Sequence, residues 1–122
     1  MTCTELQLPW PPSALSPNKR QHWTQLSKAK AAYRLECANE TALRVRPDAV
    51  DSEPKHIEFV FIPPDRRSYD VDNLLARMKA GIDGMADALG IDDKVFVKTT
   101  ISVAASRGKP GAVMVEIREA SC

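Results

Sequence analysis

Tyr69-Asp70-Val71-Asp72-Asn73, then Lys79, then the paired Asp92-Asp93, gather carboxylates and a lysine into one stretch of the chain. Mg²⁺ takes oxygen ligands, and it is held by a few carboxylates, several waters and a substrate's own phosphate oxygens rather than by an all-protein cage. An open site of that kind activates water, and a lysine beside it adds fixed positive charge where negative charge develops during displacement at phosphorus. The chemistry these residue types suit is metal-dependent phosphodiester hydrolysis. Blander roles compete: Asp72 as a helix cap with Asp70 a loop carboxylate, Lys79 in a surface pair with Asp83, and Asn73 as a helix-start amide rather than a support for the loop. Of the Asp92-Asp93 pair, either could be a ligand while the other serves as a turn residue or hydrogen-bond acceptor behind it. The return of an acidic pair beyond the helix, with Lys79 between, favours the metal reading.

These residues need a loop, a helix and a turn to hold them. Pro63-Pro64 ends a β-rich run over Lys55–Ile62, and Asp72 is the expected N-cap of a helix running to about Leu89, with Gly90 as its C-cap. If the chain enters that helix extended, Asp70 and Asp72 leave on the same side and Val71 points into the core. Leu74, Leu75, Met78, Ile82, Met85, Ala86 and Leu89 fall within an arc of about 120°, an apolar stripe for packing on a sheet. Asp72, Lys79 and Asp83 share one edge of it, with Lys79 roughly 10 Å along the axis from Asp72. Gly81 and Gly84 map away from the stripe, which calls for close approach of a backbone or of DNA, or for a broken helix.

Around this helix the chain reads as a short strand over Thr4–Leu8, a proline-rich loop over Pro9–Pro17, and a first helix over about Ser27–Leu43 with Ala31, Leu35, Ala38 and Ala42 at helical spacing. Lys94–Ala105 and Val113–Ile117 supply two further strands. The order β-α-β-α-β-β in 122 residues predicts a single α+β domain over residues 1–122, a mixed sheet covered by two main helices.

The net charge of +1 announces no polyanion partner, but its distribution is uneven. Seven basic residues face two acidic ones between Asn18 and Arg46, while six aspartates face Arg77 and Lys79 between Asp70 and Asp93. A basic flank beside an acidic pocket suits a protein that holds a polyanion and cuts it with metal, although solvated helix faces give the same pattern. Asn18, Lys19, Arg20, Arg66 and Arg67 are the candidates for phosphate contacts. His22 and Trp23 lie in the same flank, where a structural histidine and a core tryptophan compete with a DNA-contacting pair. His56 has no partner motif. Cys3, Cys37 and Cys122 have neither zinc nor disulfide-scaffold spacing, so reduced thiols are expected. The N-terminus lacks the apolar segment of a signal peptide and no run approaches the roughly twenty residues of a membrane span, which leads to the expectation of a soluble, cytoplasmic protein. No Walker loop or dinucleotide fingerprint is present, so no nucleotide cofactor is expected. The Asp-x-Asp also hints at a phospho-aspartate phosphatase or a calcium loop. The first normally follows a strand directly, and the second lacks its glycine and terminal glutamate.

Leu8-Pro9-Trp10-Pro11-Pro12-Ser13, Asn18, His22-Trp23, Pro64-Asp65-Arg66-Arg67, Asp70-Val71-Asp72-Asn73 and Gly90-Ile91-Asp92-Asp93 occur in an order that resembles the RusA-like Holliday junction resolvases, endodeoxyribonucleases of bacteria and their phages. The resemblance runs along most of the chain. It implies Asp70, Asp72 and Asp93 as ligands of Mg²⁺, in-line hydrolysis leaving a 5′-phosphate, Asn73 and Asp92 in supporting positions, four-way junction DNA as partner, and a homodimer that makes paired nicks. The family carries a lysine four residues before an aspartate, as Lys79 stands before Asp83, and so implies a catalytic role for Lys79. The interval from Asp72 to that lysine is longer here than in the best-known bacterial member. A non-catalytic DNA-binding protein on the same scaffold is the alternative.

Overall fold

A computed structural model of the chain describes residues 3–17 and 19–120. Asn18 and Cys122 lie outside them. The elements run β1 (Cys3–Pro9), a 3₁₀ turn (Ser13–Leu15), α1 (Trp23–Arg44), β2 (Lys55–Ile62), α2 (Val71–Leu89), a second 3₁₀ turn (Asp93–Val95), β3 (Phe96–Val103) and β4 (Ala112–Glu119). The strands form one sheet in the order β1-β4-β2-β3. β4 pairs antiparallel with both β1 and β2, and β2 pairs parallel with β3, so α2 is the crossover that a parallel pair requires. The α+β architecture and element order expected from the sequence are present.

Alternation along the strands explains which face is buried. Leu6 and Leu8 of β1 stand opposite Val115 and Val113 of β4, which in turn pair with Phe59 and Phe61 of β2. All six belong to one core cluster with Tyr33 and Cys37 of α1 and Leu74, Met78, Met85 and Leu89 of α2. The other sheet face is polar, carrying Glu58, Glu116 and Arg118 in an ion-paired group. Beside it, buried His56 meets Thr100 Oγ1 through Nε2 at 2.7 Å. Among the described residues, no helix is long and apolar enough to cross a membrane.

The structure corrects the packing of both helices. α1 begins at Trp23 rather than Ser27 and buries Tyr33, Cys37 and Thr41, whereas Leu35 is 63% exposed and Ala31 and Ala42 are exposed. Polar groups reach this face because each is satisfied locally. Tyr33 Oη donates to Pro9 O at 2.6 Å, and Thr41 Oγ1 donates to Cys37 O at 2.7 Å. On α2, Gly81 and Gly84 are buried, not turned away from the packed side. A Cβ on Gly84 would lie 2.0 Å from the Arg34 carbonyl oxygen, and one on Gly81 would lie 2.7 Å from the Tyr33 ring. The close approach is therefore the backbone of α1, and the helix is unbroken.

β3 also starts later than Lys94, because residues Asp93–Val95 form the second 3₁₀ turn. Gly90 caps α2 as expected, in the left-handed region at φ 69°.

Candidate functional site

Asp70, not Asp72, is the N-cap of α2. Its backbone is extended (φ −82°, ψ 125°), its Oδ1 accepts from Asp72 N at 2.9 Å, and its carbonyl accepts the first helical bond from Leu74 N at 3.0 Å. Val71 is accordingly the first helical residue and 38% exposed rather than a core residue. Asp72 sits in the first turn, exposed, with no side-chain partner among the described residues. An acidic side chain there is favoured by the helix dipole.

The loop ahead of this cap is braced from several sides. Asp65 Oδ1 accepts from Tyr69 Oη at 2.8 Å and from Arg67 N at 3.0 Å, and these two bonds hold its carboxyl below the usual range. The Tyr69 ring meets Trp10 edge-on at 5.3 Å, Trp10 meets Phe61 at 6.0 Å, and the Arg77 guanidinium lies 5.8 Å from the Trp10 ring centroid. Arg77 Nη2 also donates to Pro11 O at 2.8 Å. Trp10 thus joins the loop before Asp70 to β2 and to α2. Residue chemistry alone gives Trp10 and Arg77 no role. The signal for Trp10 in the sequence is the Leu8–Ser13 motif, whose prolines hold the chain extended past the tryptophan, while nothing comparable marks Arg77.

The far carboxylates return to the middle of the same helix. Asp92 caps the second 3₁₀ turn, accepting from Lys94 N at 2.9 Å, and that bond leads the causes that lower its pKa. Asp93 Oδ2 instead accepts from Lys79 Nζ at 3.3 Å. Lys79 therefore pairs with Asp93 and not with Asp83, and of the two adjacent aspartates it is Asp93 that faces the lysine. Lys79 and Asp93 line a hollow of about 230 Å³ floored by Leu75, Ile82 and Phe96. Asn73 Oδ1 accepts from Ser16 Oγ at 3.1 Å, which ties the loop after the first 3₁₀ turn to α2.

The oxygens of Asp70, Asp72 and Asp93 do not close into one ligand set. The one group of three acidic or sulfur ligands lying within 4.8 Å of one another, among the described residues, is Cys3, Glu5 and Glu116 on the opposite sheet face. There Glu116 is engaged by Arg118. Asp70 and Asp72 open α2, whereas Asp93 lies beside Lys79, two turns along the same helix.

The candidate phosphate contacts are dispersed. Lys19 and Arg20 are exposed in the loop before α1, and Arg66 is exposed beside Ala105 and Arg107. Arg67 is exposed and 3.6 Å from Asp65 Oδ2. His22 caps α1 through Nδ1, which accepts from Thr24 N at 3.2 Å, and its ring stacks on Trp23 at 5.9 Å. Trp23 is 71% exposed, so it is not a core residue.

A cleft of about 570 Å³ opens between α1, α2 and the loop after the first 3₁₀ turn. Lys19, Lys30, Arg34, Arg77 and Lys79 line it against the single carboxylate of Asp83. Nothing in the sequence singles out Lys30 and Arg34, because their convergence with Lys79 depends on the packing of α1 on α2. Arg34 also bridges the helices, donating to Asp87 at 2.7 and 3.0 Å.

No family model matches the chain. It is 45% identical over 95 residues to an uncharacterized protein of Xylella fastidiosa (strain Temecula1 / ATCC 700964), an alignment covering 75% of this chain. The match covers 61% of that protein, so the chain spans less than two thirds of its relative's length.

Proposed function

We propose that this chain is a Mg²⁺-dependent endodeoxyribonuclease of the RusA-like type, acting on four-way DNA junctions as a homodimer. The observation that carries the reading is the Lys79–Asp93 pair. An aspartate from beyond the C-terminus of α2 meets a lysine on the exposed face of the helix that Asp70 caps and Asp72 opens.

The donors are all carboxylate oxygens, the chemistry a hard cation takes, although they are not gathered into one ligand set without the ion. Asp70 and Asp72 are exposed and Asp93 is half-buried, and the carboxylate of Asp72 is committed to nothing else among the described residues. Asp70, Asp72 and Asp93 would hold Mg²⁺, which when bound acidifies water and stabilises charge on phosphate oxygens. Lys79 supplies a cation to the phosphoryl oxygens as negative charge builds on them. The brace of Trp10, Tyr69 and Arg77 limits movement of the Asp70 loop, and positioning of this kind matters because small misplacement of reacting groups is costly. Lys19, Arg20, Arg66 and Arg67 contribute non-specific attraction to the DNA backbone. Two active sites related by a twofold axis account for paired nicks.

Asp70 and Asp92 are both engaged as caps. That observation favours a second reading, a DNA-binding protein without catalysis.

The test is a synthetic four-way junction and a linear duplex incubated with purified protein in Mg²⁺ or Ca²⁺. Selective cutting of the junction in Mg²⁺, with binding but no cutting in Ca²⁺, is the expected result, since Ca²⁺ tolerates irregular coordination. Binding without cutting in either metal would establish the second reading. Equal cutting in both metals would overturn the mechanism.

A further inference from the structure

We propose that the α1–α2 cleft, with Trp23 at its end, is the seat of an unpaired nucleic-acid strand, its phosphates on Lys19, Lys30 and Arg34 and a base stacked on Trp23. The inference rests on the nuclease reading for the path of the strand past Lys79, which lines both this cleft and the hollow containing Asp93.

Three observations converge on it. The first is charge: five cations line the cleft against one carboxylate, and although Arg34 and Lys79 are also paired with Asp87 and Asp93 outside the lining, three of the five carry no carboxylate partner among the described residues. Lys19 and Lys30 form no ion pair among the described residues. Arg77 is 9% exposed, has no carboxylate partner among them, and leaves its Nε without a hydrogen bond. A buried cation that lacks an internal counter-charge adds positive potential to the wall, and an anion in the cleft offsets its cost.

The second observation is shape. At about 570 Å³ the cleft has the size of a small-molecule pocket, room for a nucleotide or two and not for a duplex. Leu15, Leu26 and Ala80 give it an apolar floor.

The third is Trp23. On α1, residues 23, 26, 30 and 34 recur at helical spacing and fall within an arc of about 80°, so Trp23, exposed and stacked on His22, stands on the same face as the lining residues Leu26, Lys30 and Arg34, one turn before the first of them. A positively charged groove ending in an exposed aromatic ring is the arrangement that binds single strands, because every base has a π-face to stack. Duplex DNA, whose bases already stack on one another, offers that ring nothing. A junction nuclease meets unstacked bases where strands exchange.

The probe is a six-nucleotide oligothymidylate, titrated in EDTA while tryptophan fluorescence is followed. Trp10, packed against Phe61 and Tyr69, serves as the internal reference. Binding is expected to quench wild-type fluorescence, and the quench is expected to vanish in Trp23→Phe. Trp23→Ala and Lys30→Glu should each weaken binding by about fivefold or more, whereas Lys28→Glu, which makes the same charge change on α1 outside the cleft, should change it by less than about twofold. Circular dichroism confirms that each exposed-site variant is folded. Loss of affinity in Lys28→Glu equal to that in Lys30→Glu would overturn the proposal in favour of diffuse attraction, as would a quench that persists in Trp23→Phe or wild type that fails to bind. The same proteins are assayed for junction cutting in Mg²⁺. If wild type binds the oligothymidylate in the expected pattern but cuts nothing, the nuclease reading fails and the cleft stands. If it cuts while Trp23→Ala and Lys30→Glu bind like wild type, the cleft fails and the nuclease stands.

Discussion

The two sides of α2 are built to opposite specifications. The inward side is a seam in which Gly81 and Gly84 admit Tyr33 and the backbone of α1, and Met78, Met85 and Leu89 are almost wholly buried. The outward side carries Asp72 in the first turn and Lys79 two turns on, both exposed and, among the described residues, making a single ion pair, that of Lys79 with Asp93. One side has no spare volume, and the other has charges with few commitments. The contrast locates the source of rigidity: the seam fixes the helix, and on the proposed nuclease reading the charged side chains opposite it are held steady for ligand and substrate.

A methyl group at the seam tests that division most severely. Gly84→Ala places a Cβ against a backbone carbonyl that cannot rotate away, so the helices must separate. Overpacking of this kind costs roughly 1–3 kcal/mol or more, of which alanine's better helix propensity returns up to about 1. The expected net loss is about 2 kcal/mol, read as a lowered denaturation midpoint with an unchanged m-value. A variant as stable as wild type would show that the seam is loose.

Asp72→Asn removes a charge from the opposite side of the helix. The expected loss of stability is no more than about 1 kcal/mol, the worth of a carboxylate in the first turn of a helix, while junction cutting falls at least about 100-fold and binding in Ca²⁺ persists. Near-normal cutting would remove Asp72 from the site. A stability loss as large as that of Gly84→Ala would mean that the exposed side is structural after all.

Neutralising Arg66 and Arg67 together should leave the midpoint of unfolding where it was. What should change is the dependence of log K on log salt, which flattens by up to about one unit for each phosphate no longer neutralised, equally on two junctions of different core sequence. An unaltered slope would mark both arginines as solvated surface, and an altered sequence preference would mark them as readers of bases.

The sequence alone determined the element order, the strand faces and the apolar stripe of α2, because alternation at period two and a strongly apolar helix face are local patterns that survive any packing. It also named Asp93 as a candidate ligand, through the resemblance rather than through spacing, but paired Lys79 with Asp83, and the contact between Lys79 and Asp93 came from the fold. Only the tertiary structure decided which face of α1 is buried, since Tyr33, Cys37 and Thr41 win that position by fitting a glycine seam and by hydrogen bonds closed within the fold, while Leu35 and Leu43 stay in water. It also decided that Asp70 rather than Asp72 caps α2, a matter of two residues in where the backbone turns helical. The convergence of Lys30, Arg34 and Lys79 on one cleft was invisible for the same physical reason. Hydrophobic periodicity reports how much apolar surface a helix offers, but which of its faces meets a neighbour is set by shape complementarity between segments far apart in the chain.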